Sequence, residues 1–424
     1  MGFYMKNSAG RAVLFSLFLM CVFGAYGTPA ERPNIVLIMV DDMGWSDIGC
    51  YGSEIQTPNI DSLAASGISF RQFYNTSKCN TTRACLLTGV YSHQNGTPVQ
   101  TGKEFINSVS LGEVLQPVGY HTYISGKHHS EESLYVRGFD HYYGLLGGET
   151  SHFNPGTQRP GEPDPAKKPA VSPNYWVDDA LIFHEDDPAY QAYFPTNFYS
   201  TDTFTEKALE FLDEWEQQDT GRPFFLYLAY TAPHAPLHAW PEDIAKYDGV
   251  YDVGFEAIRT NRYQAQVASG LINESQYAIS PPVYTNWESL SSLEKEEQAS
   301  RMEVYAAMVD RVDQKVGDVI AQLQSMGIYD DTLILFCSDN GASKENNEGV
   351  AAVNDTNEAL GTVGRYSNQQ PNWANVSNTP FQYYKTVSDE GGIRTPLIAH
   401  WPNGVVNPGR FTDKRGHMVD FMAT

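Results

Sequence analysis

Cysteine is scarce: the 424 residues hold five, and none stand in a C-x-x-C spacing. That argues against a disulfide scaffold and against a cysteine zinc site. Basic residues are also few, 28 Lys and Arg against 51 Asp and Glu, a formal charge of −23. Nucleic acid needs a basic face, so a nucleic-acid partner is excluded. The same charge repels small anions at long range, so an anion site here must bring its own local cations. Long apolar runs are missing except from Ala12 to Ala25, which follows Lys6 and Arg11 and precedes Gly27-Thr28-Pro29-Ala30. That run is short for a membrane span and has the layout of a secretory signal. Residues 1–27 are therefore expected to be removed, the product exported to the periplasm or beyond, and the mature chain left without a transmembrane segment. Internal repeats and low-complexity blocks are absent too.

What is present is an alternation of buried-strand and helix patterns. Asn34 to Val40 is an unbroken apolar run, 223–230 is strongly apolar, 332–337 and a run around 396–400 read as further buried strands, and 120–125 reads as another short strand. Between them, Thr57-Pro58 opens one helix, Thr201 to about Gln217 forms an amphipathic second, and Ser292 to Met326 a third. The third carries a stripe of Tyr305, Met308, Val312, Val316, Val319 and Leu323. Residues 150–198 and 342–378 read as irregular and loop-like. The pattern predicts an α/β fold, with helices on both faces of a sheet.

In such sheets the ligand crevice lies beyond the carboxyl ends of the strands. Asp41-Asp42, Lys127-His128-His129, His234 and Asp339-Asn340 each follow one of those strands. Asp41, Asp42, Asp339 and Asn340 would supply three carboxylates and an amide oxygen, a hard donor set for Ca²⁺, with Mg²⁺ the alternative. Turn or capping aspartates are the plainer explanation for Asp42 alone, but not for the D-D and S-D-N-G segments together. Cys79 and Arg83 lie on the run Cys79-Asn80-Thr81-Thr82-Arg83-Ala84-Cys85-Leu86-Leu87-Thr88-Gly89. Its helix is predicted to start near Arg83 with Thr82 as cap, presenting backbone N–H groups and a guanidinium to an anion. Lys127 and Lys385 are further cations. A lone lysine is usually a solvated surface group; here Lys127 directly follows a buried strand.

The run at Cys79 resembles the sulfatase signature C-x-P-x-R-x-x-L-L-T-G, with Thr81 in the proline position. Lys127-His128-His129 is similar to the family's G-K-W-H, with His128 for tryptophan. Ala232-Pro233-His234-Ala235-Pro236 and Tyr383-Tyr384-Lys385 before Glu390-Gly391-Gly392 match its later motifs. The resemblance runs from Arg32 to about Asp420, which makes residues 32–424 a single catalytic domain. It implies an alkaline-phosphatase-like α/β/α sandwich with a large mixed, mostly parallel central sheet. The chain stops inside a helix opening, so the family's smaller C-terminal antiparallel subdomain is expected to be missing. Further implied are conversion of Cys79 to formylglycine by a maturation enzyme, residue 79 as a further metal ligand, and Arg83, Lys127, His129, His234 and Lys385 as catalytic groups. The implied activity is hydrolysis of an aryl sulfate or a sulfated carbohydrate. Two other readings stand beside it: a phosphoester or phosphonate hydrolase of the same superfamily, and an inactive homologue that binds sulfated glycans. His238 is a substrate-side candidate, while His93, His141 and His152 are assigned to structure or to the pocket rim. Tyr175, Trp176, Phe198, Trp287 and Trp373 are read as packing rather than sugar-stacking residues.

Overall fold

The computed structural model describes residues 32–98, 104–167, 175–184, 187–283, 285–345 and 348–424. The signal-like segment 1–27 lies outside the described residues. The strands are β1 (Asn34–Val40), β2 (Ile68–Tyr74), β3 (His121–Gly126), β4 (His141–Leu145), β5 (Tyr175–Asp178), β6 (Leu181–His184), β7 (Phe224–Ala229), β8 (Thr332–Ser338), β9 (Arg394–Thr395), β10 (Leu397–His400) and β11 (Arg410–His417). They form one sheet in the order β11-β2-β10-β8-β1-β7-β3-β4-β5-β6, with β9 paired to β2. The centre, β8-β1-β7-β3-β4, is parallel throughout. On one side β10 turns antiparallel against β8, and on the other β5 and β6 add an antiparallel hairpin.

Side chains that alternate along a strand point to opposite faces, and here both faces are covered. Val36, Ile38 and Val40 of β1, Phe224, Leu226 and Leu228 of β7, and Ile334 and Phe336 of β8 enter one core. That core is closed by the helices Ser200–Gln218, Phe255–Ala268 and Ser292–Ser325. Leu37 and Met39, Phe225 and Tyr227, and Cys337 enter the other, closed by the helix Cys79–Thr88. Each fully buried aliphatic side chain contributes roughly 1.5–3 kcal/mol, which is why unbroken apolar strands take central positions.

Four local readings differ from expectation. The helix expected near Arg83 begins at Cys79, and Thr82 lies inside it. The Thr82 hydroxyl accepts a bond from Thr76 N at 3.1 Å instead of capping the helix. Thr57 does not cap the helix Pro58–Ala65 either. Asp313 on the long helix does so, accepting from Ile60 N at 2.7 Å and Asn59 N at 3.2 Å. The stretch read as an irregular insertion contains the β5–β6 hairpin, which turns at Asp179 with φ 53°. Within 342–378, the buried helix Gln370–Ser377 is the one regular element among the described residues.

Candidate active site

Strand register assembles the site. In the β1–β8 pair Val40 stands opposite Ser338, so Asp41 and Asp339 leave the sheet side by side. On the other flank Ala229 of β7 stands opposite both Met39 and Gly126, which brings Lys127 to the same rim. Gly126 is required there: at φ 122°, a Cβ would lie 1.9 Å from the Ala229 carbonyl oxygen. Asp42 adopts φ 66°, a left-handed conformation rare for a residue with a side chain. Two successive carboxylates thereby reach one cavity instead of opposite faces.

Asp41, Cys79 and Asp339 have ligating atoms within 4.8 Å of one another, and so do Asp41, Asp42 and His234. Lys127 Nζ donates to Asp41 Oδ2. Arg83 donates from Nε to Asp339 Oδ2 at 3.0 Å and from Nη1 to the Lys127 carbonyl at 3.0 Å. Lys385 Nζ donates to Asp42 Oδ2 at 3.0 Å, and Asn340 Nδ2 to Asp42 Oδ1 at 2.6 Å. Asp42 N donates to Asp339 Oδ1 at 3.2 Å, and His234 Nε2 lies 3.5 Å from Asp42 Oδ2. Lys385 is delivered by a loop docked on the Asp339 segment, with its N–H donating to Ala342 O at 3.0 Å. That docking needs Gly341, whose Cβ would lie 1.8 Å from the Gly391 carbonyl oxygen. Arg83, Lys127, His234 and Lys385 therefore contact the carboxylates of Asp41, Asp42 and Asp339, the first and last of which group with Cys79, and His129 lies within electrostatic reach of Asp41, Lys127, Arg83 and Lys385.

The carboxylates divide by environment. Burial works against the ionised form of Asp41, but Lys127, His234, Arg83 and Lys385 outweigh it and hold its pKa below the ordinary range. Burial prevails at Asp339, and the neighbouring Asp41 charge adds to it, so that carboxyl is raised. Burial also raises the Cys79 thiol, against Lys127 and Lys385. An unmodified thiol here is thus a poor thiolate nucleophile. Burial and Lys127 push the His129 imidazole well below its ordinary value, and its Nδ1 has no hydrogen-bond partner.

The donor set suits a hard divalent cation. Asp41 Oδ1 and Asn340 Oδ1 are buried without hydrogen-bond partners, two oxygens that a cation would satisfy. Asp41, Asp42, Asp339, Asn340 and residue 79 are the residues that would hold it.

Other candidates fall elsewhere. His238 is fully buried, bonded through Nε2 to Arg365 O at 3.2 Å and stacked on Phe153, so it is a core residue. His152 Nε2 bonds the His234 carbonyl at 3.0 Å, and His128 packs edge-on to Phe105. Trp176, Phe198, Trp287 and Trp373 are buried as packing residues. Glu149 and Glu345, not singled out in sequence, have carboxylate oxygens within 4.8 Å of a His234 nitrogen and of each other. Their only sequence signal is position in loops near His152 and Asp339.

The sulfatase family model matches residues 33–424. An uncharacterized sulfatase of Schizosaccharomyces pombe is 34% identical, over 93% of this chain and 74% of that protein. The arylsulfatase of Klebsiella aerogenes is 29% identical, over 94% of this chain and 87% of that enzyme. Among solved structures, Ps i-CgsB in complex with k-i-k-neocarrahexaose aligns with a TM-score of 0.61 and 28% identity, covering 92% of this chain and 70% of its own. A family match that begins at β1 and continues to Thr424, joined to this rim of carboxylates and cations around Cys79, is membership: the chain belongs to the sulfatase family and is a sulfuric ester hydrolase.

Proposed function

We propose that this chain hydrolyses aryl or carbohydrate sulfate esters, using formylglycine made from Cys79 and a divalent metal, Ca²⁺ before Mg²⁺. The observation that carries the reading is the grouping of Cys79 with Asp41 and Asp339 inside a ring of buried cations. A hydrated aldehyde at position 79 supplies one hydroxyl for attack on sulfur and a second whose proton later drives release of sulfate. A divalent ion in the oxygen cradle supplies positive charge where negative charge grows. Asp339, whose raised pKa suits it to hold a proton, takes one from position 79 as the new S–O bond forms. Arg83, Lys127 and Lys385 balance charge on the sulfuryl oxygens. His234 gives its proton to the ester oxygen as the old S–O bond breaks. His129, kept neutral, then takes the second proton from position 79 as sulfate leaves. Aryl and glycan substrates are both proposed because the relatives include an arylsulfatase and a protein bound to a carrahexaose. The signal-like N-terminus supports export before the enzyme acts.

Mass analysis of the peptide holding residue 79 tests the nucleophile. Conversion removes about 18 Da from the cysteine peptide, and Cys79→Ser is expected to keep the fold and lose turnover. An unshifted peptide in active enzyme, or a fully active serine variant, overturns the assignment.

A further inference from the structure

Each backbone N–H of the segment Asp41–Gly44 is hydrogen-bonded, Asp41 N to the Ala232 carbonyl and Asp42 N to Asp339 Oδ1. Met43 N donates to Ser338 Oγ at 3.1 Å, and Gly44 N to Asp47 Oδ2 at 2.8 Å. The Tyr305 hydroxyl donates to Asp47 Oδ2 at 2.7 Å and lies 3.3 Å from the Asp42 carbonyl oxygen. Asp47 is fully buried, and its other oxygen receives the Arg262 guanidinium. Arg262 in turn grips Glu54 at 2.8 and 2.7 Å. Two helices on one face of the sheet therefore reach through the core to a single loop. Tyr305 comes from the middle of the 34-residue helix Ser292–Ser325, and Arg262 from Phe255–Ala268.

That loop has something to be held against. Asp42 at φ 66° holds a strained left-handed backbone conformation, which persists only where neighbours over-determine it. Relaxation would turn the Asp42 carboxylate away from Lys385 and Asn340. We infer that Tyr305 and Asp47, with Arg262 as counter-ion, are positioning residues that preset Asp42 for divalent-metal binding while touching neither metal nor substrate. Groups behind a ligand commonly alter metal affinity by about 10–100-fold.

The inference rests on the metal part of the proposed function but not on the substrate, so the test uses Ca²⁺ alone. Calorimetric titration of the chelator-stripped full chain would compare wild type, Tyr305→Phe and Tyr247→Phe. Tyr247 is a matched control: it too is buried, and its hydroxyl bonds Asp310 of the same long helix at 2.8 Å. The expected result is Ca²⁺ affinity weakened about tenfold or more in Tyr305→Phe and unchanged within about twofold in Tyr247→Phe. Asp47→Asn, isosteric but uncharged, is expected to weaken binding as well, and it serves if the first variant does not fold. Equal affinity in wild type and Tyr305→Phe, or equal weakening in both tyrosine variants, overturns the positioning role. Wild type that binds neither Ca²⁺ nor Mg²⁺ sinks the metal reading and this inference together. Discriminating Ca²⁺ affinities without any sulfatase turnover would leave the inference standing and remove the substrate reading.

Discussion

The buried histidines should make this fold sensitive to mild acid, and His238 offers a clean measurement. Its imidazole is fully buried, stacked on Phe153 and 6.1 Å from the ring of His152. Burial, with a smaller contribution from His152, pushes its pKa from 6.5 down to about 3. A depressed folded pKa contributes stability that is whole above the unfolded value and is lost as pH falls toward the folded one. Between 6.5 and 3 the unfolded chain therefore takes up a proton that the folded chain refuses. Linkage puts the resulting loss at about 0.2 kcal/mol at pH 7 and about 2 kcal/mol at pH 5. His238→Gln keeps an N–H donor for the Arg365 carbonyl but cannot titrate. Urea unfolding of both proteins at the two pH values measures the gap. Relative to the variant, wild type should lose about 2 kcal/mol between pH 7 and pH 5. Taking the difference matters because Asp313 and Asp339, both raised, push the wild-type slope the other way. A gap that stays constant to within about 0.5 kcal/mol would show that His238 titrates in the fold as it does in the unfolded chain, and would refute the buried neutral imidazole.

Two further outcomes follow from the site. His234→Asn should cost about 10²–10⁴ in kcat on an alkyl sulfate, whose leaving oxygen needs a proton, and far less on nitrophenyl sulfate; equal losses on both would remove its role as acid. Arg83→Lys should destabilise by about 3–5 kcal/mol in urea unfolding, because a lysine cannot reach both Asp339 and the Lys127 carbonyl and leaves buried charge unpaired; a loss below about 1 kcal/mol refutes that.

Much of this was legible because strand ends and ligands coincide. The runs that precede Asp41, His234 and Asp339 are apolar enough to place them at the centre of a sheet, and parallel register brings the shorter, more polar strand before Lys127 to the same rim. The helix start at Cys79 was not legible, because capping preference favoured Thr82, whereas the backbone N–H of Thr76, six residues earlier, claims that hydroxyl. Asp313 as a cap was equally hidden, since it lies about 250 residues from the helix it serves. The β5–β6 hairpin is two four-residue strands, too short for periodicity to separate from loop. Tyr305 was read as one more residue of an apolar stripe. Its ring does pack in the core, but hydroxyl partners are set by tertiary structure, and spacing on a helix cannot report them.

The charge balance of the rim would give the proposed metal a second purpose. Asp41, Asp42 and Asp339 face Arg83, Lys127 and Lys385, three buried carboxylates against three buried cations. Such a set is close to neutral, so by itself it offers an incoming sulfate monoester little net attraction. The net charge of the whole chain, −23, adds a long-range repulsion of that anion. Each cation already has a carboxylate partner, so gripping a sulfate would mean breaking an existing buried pair, at a cost of several kcal/mol. A divalent ion bound among the carboxylates would change the arithmetic: it would supply positive charge to them and leave Lys127, Lys385 and Arg83 freer to meet a new anion. Substrate affinity in this fold should therefore depend on the metal through these three side chains, even where no substrate atom contacts it.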